Sequence, residues 1–281
     1  RRRVPAGLRM GSLDGQVAFI TGAARGMGRA HAVKLAGEGA DIVALDICTG
    51  FEFTDYPGAT VDDLEETARL VRQQGRRILA RQADVRDADA VDAVLADARR
   101  EFGRLDIVIA NAGVIRVTDS DQRRRDFRAI IDVNLVGAWN TVDAAIPDLV
   151  AGGRGGSIVL TSSTQGLRAS DTDRAGLQAY AASKRALVAL MQGWARQLAP
   201  HSIRVNTIHP SGVATDMIMN ESTMALATAG DPWLLAQQNA LPIALVDPAD
   251  IAGAVAWLVS DAARFITGTS WPLDAGFTLR S

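Results

Sequence analysis

The sequence is poor in cysteine, histidine and net charge, and each shortage argues against a class of protein. The single cysteine, Cys48, cannot form an intrachain disulfide, which predicts a cytoplasmic chain. The three histidines lack the spacing of metal ligands, so we expect no metal site. A net charge of −2 gives no electrostatic reason to bind nucleic acid or an acidic membrane. No apolar run reaches the length of a transmembrane helix.

The length of the chain fits one globular domain. Its 281 residues are 48% hydrophobic, which suits a single α/β domain that buries its apolar surface without disulfides or metals. The basic residues at 1–3 are not followed by an apolar signal core, and we expect the natural start near Met10. We therefore predict a flexible N-terminal extension over residues 1–13 and a single domain over 14–281.

Short apolar runs alternate with helical patterns along the whole chain. Strands are predicted at 17–20, 42–45, 78–83, 105–109, 157–161, 203–208 and 270–273. Helices are predicted over 26–38, 61–74, 87–102, 124–150, 178–199 and 248–259. Continuous apolar strands separated by helices indicate a doubly wound parallel sheet, with helices on both faces in three α/β/α layers.

Two segments interrupt the alternation. Residues 47–60 are too long for a tight turn between a strand and a helix, and residues 211–245 form a long connection rich in Met, Leu and Trp. Long connections inside compact domains usually carry function.

A glycine-rich loop joins the first strand to the first helix. Gly22, Gly26 and Gly28 would allow a tight turn and a close approach of the backbone to a pyrophosphate, with Arg25 and Met27 in the same loop. Asp46 ends the next strand about 20 residues later, where a carboxylate can accept hydrogen bonds from a ribose. The pattern predicts a Rossmann-like dinucleotide site; the alternative is that the glycines serve turn geometry alone.

The choice of dinucleotide depends on two charges. Asp46 would repel the 2′-phosphate of NADP, whereas Arg25 could attract it, and Ile47 adds no second positive charge. We expect the carboxylate to dominate because it would lie against the ribose, while the arginine is flexible and screened. The sequence therefore predicts NAD.

Tyr180 and Lys184 are four residues apart at the start of a long helix, so both side chains project from one face. A nearby lysine and an oxidised nicotinamide both favour phenolate and would lower the pKa of the tyrosine towards neutrality. Ser162 and Ser163 end the preceding strand, where side chains point into the crevice of a parallel sheet. A buried tyrosine beside a surface lysine is the alternative interpretation of the pair.

These residues, together with Asp84-Val85, Asn111-Ala112-Gly113, Asn134 and His209-Pro210-Ser211-Gly212, make residues 14–279 resemble the short-chain dehydrogenase/reductase family. The resemblance implies that Tyr180 is the acid/base, Lys184 lowers its pKa and binds nicotinamide ribose, and Ser163 orients the substrate oxygen. It implies that Asn134 holds a water of a proton relay. The remaining cofactor contacts that it implies are Ile47, Asp84, Val85, Asn111, Ala112, Gly113, Pro210, Gly212, Val213 and Thr215.

Two departures from the family pattern leave assignments open. The stretch from Ser163 to Tyr180 is a few residues longer than usual, around residues 170–173, so either Ser162 or Ser163 could face the substrate. Ser211 stands between Pro210 and the next glycine, which leaves the register of Val213 and Thr215 open.

The insertion at 47–60, with Gly75-Arg76-Arg77-Ile78 and Asp274-Ala275-Gly276-Phe277, is similar to the mycofactocin-coupled, carveol-dehydrogenase-like subgroup. That resemblance implies NAD held by the insertion and recycled in place by a separate redox partner. The alternative is a surface loop that merely lengthens the chain. The family also implies a homotetramer built on two long helices, and the apolar segment 265–279 fits an interface.

The long connection suggests the substrate class. We expect its apolar side chains to form a lid over a hydrophobic secondary alcohol of terpenoid or sterol type, although some could pack on the core or at an interface. The side chains concerned are Met217, Ile218, Met219, Met224, Leu226, Trp233, Leu234 and Leu235. The expected substrate contacts are Ser163, Gln165, Tyr180, Met217 and Trp233.

Three other functions are alternatives: an epimerase or dehydratase, a ketone reductase of another substrate class, and a non-catalytic NAD sensor. The chain is too short after Ser211 for a nucleotide-sugar domain, and a sensor tends to lose Tyr180 or Lys184.

Overall fold

The computed structural model describes residues 11–168 and 171–280. A seven-stranded parallel sheet runs through it in the order β3-β2-β1-β4-β5-β6-β7. The predicted doubly wound α/β fold is confirmed. The strands are β1 Val17–Thr21, β2 Asp41–Asp46, β3 Ile78–Gln82, β4 Ile107–Ala110, β5 Gly156–Thr161, β6 Ile203–Pro210 and β7 Ser270–Leu273.

Helices cover both faces of the sheet. They are α1 Gly26–Gly37, α2 Val61–Gln73, α3 Ala88–Phe102, α4 Arg123–Ile131, α5 Gly137–Gly152, α6 Ala175–Leu198, α7 Glu221–Thr228, α8 Pro232–Leu235 and α9 Pro248–Val259. Alternate residues of the strands feed two hydrophobic cores. Phe19 packs towards α3, α5 and α6, whereas Ile20 packs towards α1, α2 and α9. From β1 the chain adds strands towards one edge of the sheet, and from β4 it adds them towards the other edge. This change of direction opens a crevice at the carboxyl ends of β1 and β4.

Side-chain caps fix where several helices begin. Thr60 and Asp63 form a reciprocal capping box at the start of α2, so the insertion at 47–60 ends at a defined point. Asp87 caps α3, and Asp247 caps α9 directly before Pro248. These local signals explain why the predicted helix boundaries lie close to the observed ones.

The predicted helix over 124–150 is not a regular α-helix. A π-helical segment, Asp132–Val136, separates α4 from α5 and carries Asn134 in its middle. The wider turn admits one extra residue without breaking the helix, so hydrophobic periodicity does not reveal it. Such segments often serve to aim a side chain at a functional site.

The connection 211–245 is not wholly irregular, because it contains α7 and α8, and Val213 forms a parallel bridge with Val246. At the other end of the chain, Leu13 is fully buried in the core beside α1, so packing begins before the predicted boundary at residue 14. Residues 1–10 of the expected extension, with the expected start at Met10, lie outside the described residues.

Within the described ranges, no helix is both long enough and apolar enough to cross a membrane. The same ranges hold no group of three or more His, Cys, Asp and Glu side chains arranged to bind a metal.

The buried side chain of His31, in α1, lowers the stability of the protein in acid. Its ring is fully buried, and within the described residues neither ring nitrogen has a hydrogen-bond partner. Burial lowers its pKa from 6.5 to about 4, so the imidazole is neutral in the folded protein at neutral pH.

This burial predicts a loss of stability in acid. Between pH 6.5 and 4 the unfolded chain binds a proton at His31 that the folded chain does not, so the free energy of unfolding falls as the pH falls. A shift of this size is worth about 3 kcal/mol over the window. Urea unfolding across this range should show a shallower decline for His31→Met than for the parent or for the exposed-site control His201→Gln. Parallel curves for all three proteins would contradict the assignment.

Candidate active site

The glycine loop makes a turn that other residues could not make. Gly22 and Gly26 adopt left-handed conformations with φ of 65° and 53°. A Cβ on Gly28 would lie 1.9 Å from the carbonyl oxygen of Gly22, and one on Gly22 would lie 2.8 Å from the Cα of Ala112. The start of α1 therefore packs tightly against Gly22, and Gly22 packs against the segment after β4, which is the close packing that a pyrophosphate site requires.

The amino terminus of α1 is open towards the same cavity. Arg25 at the N-cap position makes no side-chain cap, and the first turn carries no acidic residue. Its backbone N–H groups and the positive end of the helix dipole are therefore available to an anion. The glycine turn and this open terminus fit the diphosphate of a dinucleotide.

Asp46 is fixed at the end of β2 by two backbone hydrogen bonds. Its Oδ2 accepts from the N–H of Ala24 at 3.0 Å, and its Oδ1 accepts from the N–H of Cys48 at 3.0 Å. A carboxylate can accept further hydrogen bonds, so these two do not exclude a ribose hydroxyl. They set the position of the negative charge beside the glycine loop.

A cavity extends from the glycine loop along the carboxyl ends of the strands, and most of the expected cofactor residues line it. Those that do are Gly22, Arg25, Gly26, Met27, Gly28, Asp46, Ile47, Asp84, Val85, Asn111, Ala112, Gly113 and Thr215, together with the expected substrate residue Met217. Pro210, Gly212, Val213, Tyr180 and Lys184 are not in its lining. Val213 is instead buried and forms the bridge to Val246.

The insertion supplies cavity walls that sequence reasoning did not identify residue by residue. Thr49, Phe51, Thr54, Tyr56, Gly58 and Ala59 line the cavity. Phe51 stacks on Phe53 with ring centroids 4.8 Å apart, and the guanidinium of Arg86 lies 4.9 Å from the Phe51 ring. The length of the insertion was the available signal, but length does not say which side chains turn inwards.

Arg25 is not the flexible, screened side chain that the sequence argument assumed. Its Nη1 lies 2.8 Å from the Asp216 carboxylate, and its Nη2 donates to the carbonyl oxygen of Pro57. The guanidinium thus joins the insertion to the segment after β6 across the cavity. Because Asp216 already neutralises it, Arg25 offers less attraction to a 2′-phosphate, which strengthens the expected preference for NAD.

Tyr180 and Lys184 come together in the first turns of α6. The Nζ of Lys184 lies 5.5 Å from the centroid of the Tyr180 ring and donates to the carbonyl oxygen of Thr161 at 2.7 Å. Lys184 is almost fully buried, and burial lowers its pKa from 10.5 to about 8. The alternative of a surface lysine is excluded.

The expected lowering of the Tyr180 pKa is not what the protein alone produces. Burial of the phenol raises its pKa, and the Ser163 hydroxyl lowers it only in part. Desolvation destabilises the phenolate by more than the hydrogen bond from the neutral Ser163 hydroxyl stabilises it. Phenolate formation therefore needs positive charge beside the ring.

The two serines after β5 have different roles. Ser162 donates its hydroxyl to the carbonyl oxygen of Lys184 at 2.7 Å and so supports α6. The Ser163 hydroxyl interacts with the Tyr180 phenol and lowers its pKa. It also accepts a hydrogen bond from the N–H of Gln165 at 3.2 Å. Ser163 is therefore the serine that faces the reactive phenol.

Asn134 uses its side chain to hold the backbone after β4. Its Oδ1 accepts from the N–H of Val114 at 2.7 Å, and its Nδ2 donates to the carbonyl oxygen of Val114 at 2.8 Å. A Cβ on Gly113 would lie 3.3 Å from both the Asn134 Oδ1 and the Lys184 Nζ, so Gly113 lets these two groups approach. The water relay expected for Asn134 stays a prediction.

His209, whose role the sequence motif does not reveal, contacts the backbone of Ser163. Its Nδ1 lies 2.8 Å from the carbonyl oxygen of Ser163, and its Nε2 lies 2.8 Å from the hydroxyl of Thr207. Burial lowers its pKa, which keeps the ring neutral and bonded to both partners.

The expected substrate contacts and the expected lid side chains differ in where they lie. Met217 and Trp233 pack with Tyr180 against one apolar cluster, Ile115, Val117 and Leu177, which we call the Ile115 cluster. Gln165 donates to the side chain of Gln237 at 3.1 Å, which ties the region after β5 to the end of the long connection. In contrast, Met219, Met224 and Leu235 are 59%, 60% and 56% exposed, so they do not close over the site.

The sheet and the glycine loop place the chain in the Rossmann-like α/β class. Comparison with known proteins then narrows this class. Residues 22–278 match the family described as Enoyl-(Acyl carrier protein) reductase. An uncharacterized oxidoreductase of Mycobacterium tuberculosis is 52% identical over 268 residues, covering 94% of this chain and 97% of its own.

Two relatives carry a more specific description. The (-)-trans-carveol dehydrogenase of Rhodococcus erythropolis is 44% identical, with 96% of this chain and 100% of its own aligned. The crystal structure of carveol dehydrogenase from Mycobacterium avium in complex with NAD superposes with a TM-score of 0.89 at 44% identity, covering 96% of this chain and 100% of that one. The chain belongs to the short-chain dehydrogenase/reductase family, as its motifs predicted, and it is similar to carveol dehydrogenases.

Proposed function

We propose that this chain is an NAD-dependent oxidoreductase that interconverts a hydrophobic secondary alcohol and its ketone. The observation that carries the proposal is the meeting of Tyr180, Ser163 and Lys184. Lys184 lies next to Gly113, which lines the cavity that begins at the glycine loop and the open helix terminus. Relatives described as NAD-dependent oxidoreductases and crystallised with NAD support the class of enzyme and the cofactor.

The residues of the cavity fit NAD. The glycine loop and the terminus of α1 would hold the diphosphate, Asp46 would accept hydrogen bonds from the adenosine ribose, and Lys184 would reach the nicotinamide ribose. When bound, NAD supplies the acceptor for the hydride that leaves the carbinol carbon.

The side chains of the protein carry out the proton transfer. In alcohol oxidation the phenolate of Tyr180 takes the hydroxyl proton as the C–H bond breaks and the carbonyl forms, and in ketone reduction the phenol returns it. The Ser163 hydroxyl orients the substrate oxygen towards the phenol, and His209 holds the Ser163 backbone in place. Lys184 contributes positive charge beside the ring and favours phenolate.

The surroundings of Tyr180 support an apolar substrate. The phenol is flanked by the Ile115 cluster, with Met217 and Trp233 packed on it, and a polyol would lose hydration there without new partners. We therefore propose a terpenoid or sterol-like alcohol, in keeping with the carveol dehydrogenases among the relatives.

Retention of NAD beneath the insertion, with recycling by a separate mycofactocin-type redox partner, belongs to the same proposal. It is supported by the seven insertion residues that line the cavity and by the Arg25 bridge from Pro57 to Asp216. A homotetramer is also proposed, supported by Trp139 on α5 and Phe265 near the carboxyl terminus, which are 43% and 87% exposed.

The function is tested by incubating the purified protein with NAD and a panel of secondary alcohols, from small polar ones to carveol-like and sterol-like ones. We expect NADH absorbance to appear with the apolar members only. Because retained NAD would limit turnover, an artificial electron acceptor should be supplied in a parallel series. Binding of NADH without oxidation of any alcohol, in either series, would indicate a sensor instead.

Asp46 should set the preference for NAD over NADP. Asp46→Ala removes the charge that repels a 2′-phosphate while leaving the cavity open, so the ratio of kcat/KM for NAD to that for NADP should fall about 10–100-fold. Asp63→Ala, at the cap of α2 outside the cavity lining, is the matched control. An unchanged ratio in Asp46→Ala would show that this carboxylate does not contact the ribose.

A further inference from the structure

The chain has only two tyrosines, and both lie at the same site. Tyr56, from the insertion, packs against the Ile115 cluster, as does Tyr180 from α6. Burial raises the pKa of the Tyr56 phenol, and the negative charge of a Tyr180 phenolate would raise it further. The insertion therefore extends beyond the adenosine end of the cavity and reaches the catalytic tyrosine.

Tyr56 is held in this place by a hydrogen bond at its tip. Its phenol oxygen accepts from the backbone N–H of Ile115 at 3.2 Å. Ile115 lies in the segment after β4, next to Val114, whose backbone Asn134 holds. The tip of the ring is thus attached to the segment that Asn134 also holds.

The neighbouring Asp55 anchors the insertion to the same segment. Its Oδ2 accepts from the N–H groups of Val117 at 2.7 Å and Thr118 at 3.0 Å, and its Oδ1 accepts from the Thr118 hydroxyl. Arg116 adds a nearby cation, 3.8 Å from Oδ1. These contacts fix the backbone that carries Tyr56.

The backbone near one end of the insertion lies in close contact with the backbone near the other end. A Cβ on Gly58 would lie 2.2 Å from the carbonyl oxygen of Thr49 and 2.3 Å from the nitrogen of Gly50. The two ends of the insertion therefore touch and close it into a loop.

Tyr56 has the cavity on one side and the apolar cluster on the other. It lines the cofactor cavity together with Gly113 and Met217, and it also contacts the Ile115 cluster. The ring forms a wall that the cofactor cavity and the apolar region around Tyr180 share.

We propose that Tyr56 is a positioning residue that sets the width of the substrate crevice and the placement of the nicotinamide, so the insertion governs substrate fit as well as cofactor retention. This inference rests on the proposed function. Its physical basis is that a bulky ring fixed at both its backbone and its tip limits how far a substrate carbon skeleton can shift relative to the Tyr180 phenol.

The test compares two truncations within the insertion. Tyr56→Ala should raise KM for bulky apolar alcohols about 10–100-fold and reduce the discrimination between bulky and small alcohols. Phe51→Ala, the matched control, removes an aromatic ring that stacks near Arg86 at the other end of the insertion. It should speed NAD release while leaving the ranking of alcohols unchanged.

A second measurement does not require turnover. Emission of bound NADH reports the surroundings of its nicotinamide, and it should weaken in Tyr56→Ala but not in Phe51→Ala. Tyr56→Phe keeps the ring and loses only the acceptor for Ile115, so it should lie close to the parent in the ranking of alcohols. Because the ring loses its anchor at Ile115, Tyr56→Phe should raise KM for bulky alcohols by a smaller factor than Tyr56→Ala does. This shift is the measurement to use if Tyr56→Ala fails to fold.

The outcomes separate this inference from the proposed function. If the parent oxidises no alcohol, the function fails, and NADH emission alone decides the role of Tyr56. If the parent is active, but Tyr56→Ala and Phe51→Ala rank the alcohols in the same order and show the same emission of bound NADH, Tyr56 does not shape the crevice. An unchanged KM and emission in a folded Tyr56→Phe, where Tyr56→Ala is unfolded, would also overturn the inference.

Discussion

Tyr180→Phe is expected to lower kcat for alcohol oxidation by about 10²–10⁴-fold while leaving NADH binding within a factor of about three. The ring stays, so the packing against the Ile115 cluster stays, and only the proton acceptor is lost. The Ser163 hydroxyl then faces a phenyl edge and cannot accept the proton itself. Steady-state oxidation rates and a titration of NADH fluorescence measure the two effects separately.

The matched control is Tyr56→Phe, which makes the same chemical change at the other tyrosine of the chain. Because Tyr56 donates no proton to the reaction in this mechanism, its variant should retain most of kcat. A Tyr180→Phe enzyme with kcat close to that of Tyr56→Phe would remove Tyr180 from the proton transfer, whatever the cofactor.

The parts of the site that sequence reasoning found are those encoded over short distances. The glycine spacing and the aspartate about 20 residues later lie within one β-α-β unit, so the chain geometry alone brings them together. Tyr180 and Lys184 are neighbours on one helix face. For such residues, local structure and topology suffice to predict proximity, and the cavity lined by Gly22 and Asp46 agrees with that prediction.

The parts that sequence reasoning missed depend on contacts between distant segments. The hydrogen bond of Tyr56 to Ile115 spans 59 residues, the Arg25 bridge to Asp216 spans 191, and that of His209 to Ser163 spans 46. No periodicity marks these pairs, because each partner has an ordinary local environment. The length of the insertion signalled that something covers the cavity, but only packing shows which ring turns inwards.

The same limit explains why spacing did not predict the pKa of Tyr180 in the protein alone. Spacing correctly brought an ammonium near the phenol, with 5.5 Å from Nζ to the ring centroid. The degree of burial could not be read from spacing, and burial raises the pKa of Tyr180 and lowers that of Lys184. The two shifts have one cause, since both groups occupy the same desolvated pocket at the start of α6. Each charged form would therefore gain from an opposite charge beside it.

This coupling predicts the behaviour of Lys184→Met, which preserves side-chain length and removes the charge. Two unit charges about 6 Å apart at an effective dielectric of about 20 interact by roughly 3 kcal/mol, or about two pKa units. Since phenolate is the active form in oxidation, the rising limb of the rate against pH should move about two units towards alkali. At neutral pH the oxidation rate should fall about 100-fold, with weaker binding of NADH as a further loss.

The sign of the effect gives a sharper test than its size. The Lys184 pKa of about 8 means that its charge is present below that pH and is lost above it, so parent and variant should converge as the pH rises past 8. Ketone reduction uses the protonated phenol and should suffer less at neutral pH than oxidation does. Lys34→Met removes an exposed ammonium paired with Glu38 in α1 and should leave the profile unchanged. A Lys184→Met profile parallel to the parent's at every pH would mean that the ammonium binds the cofactor but does not tune the phenol.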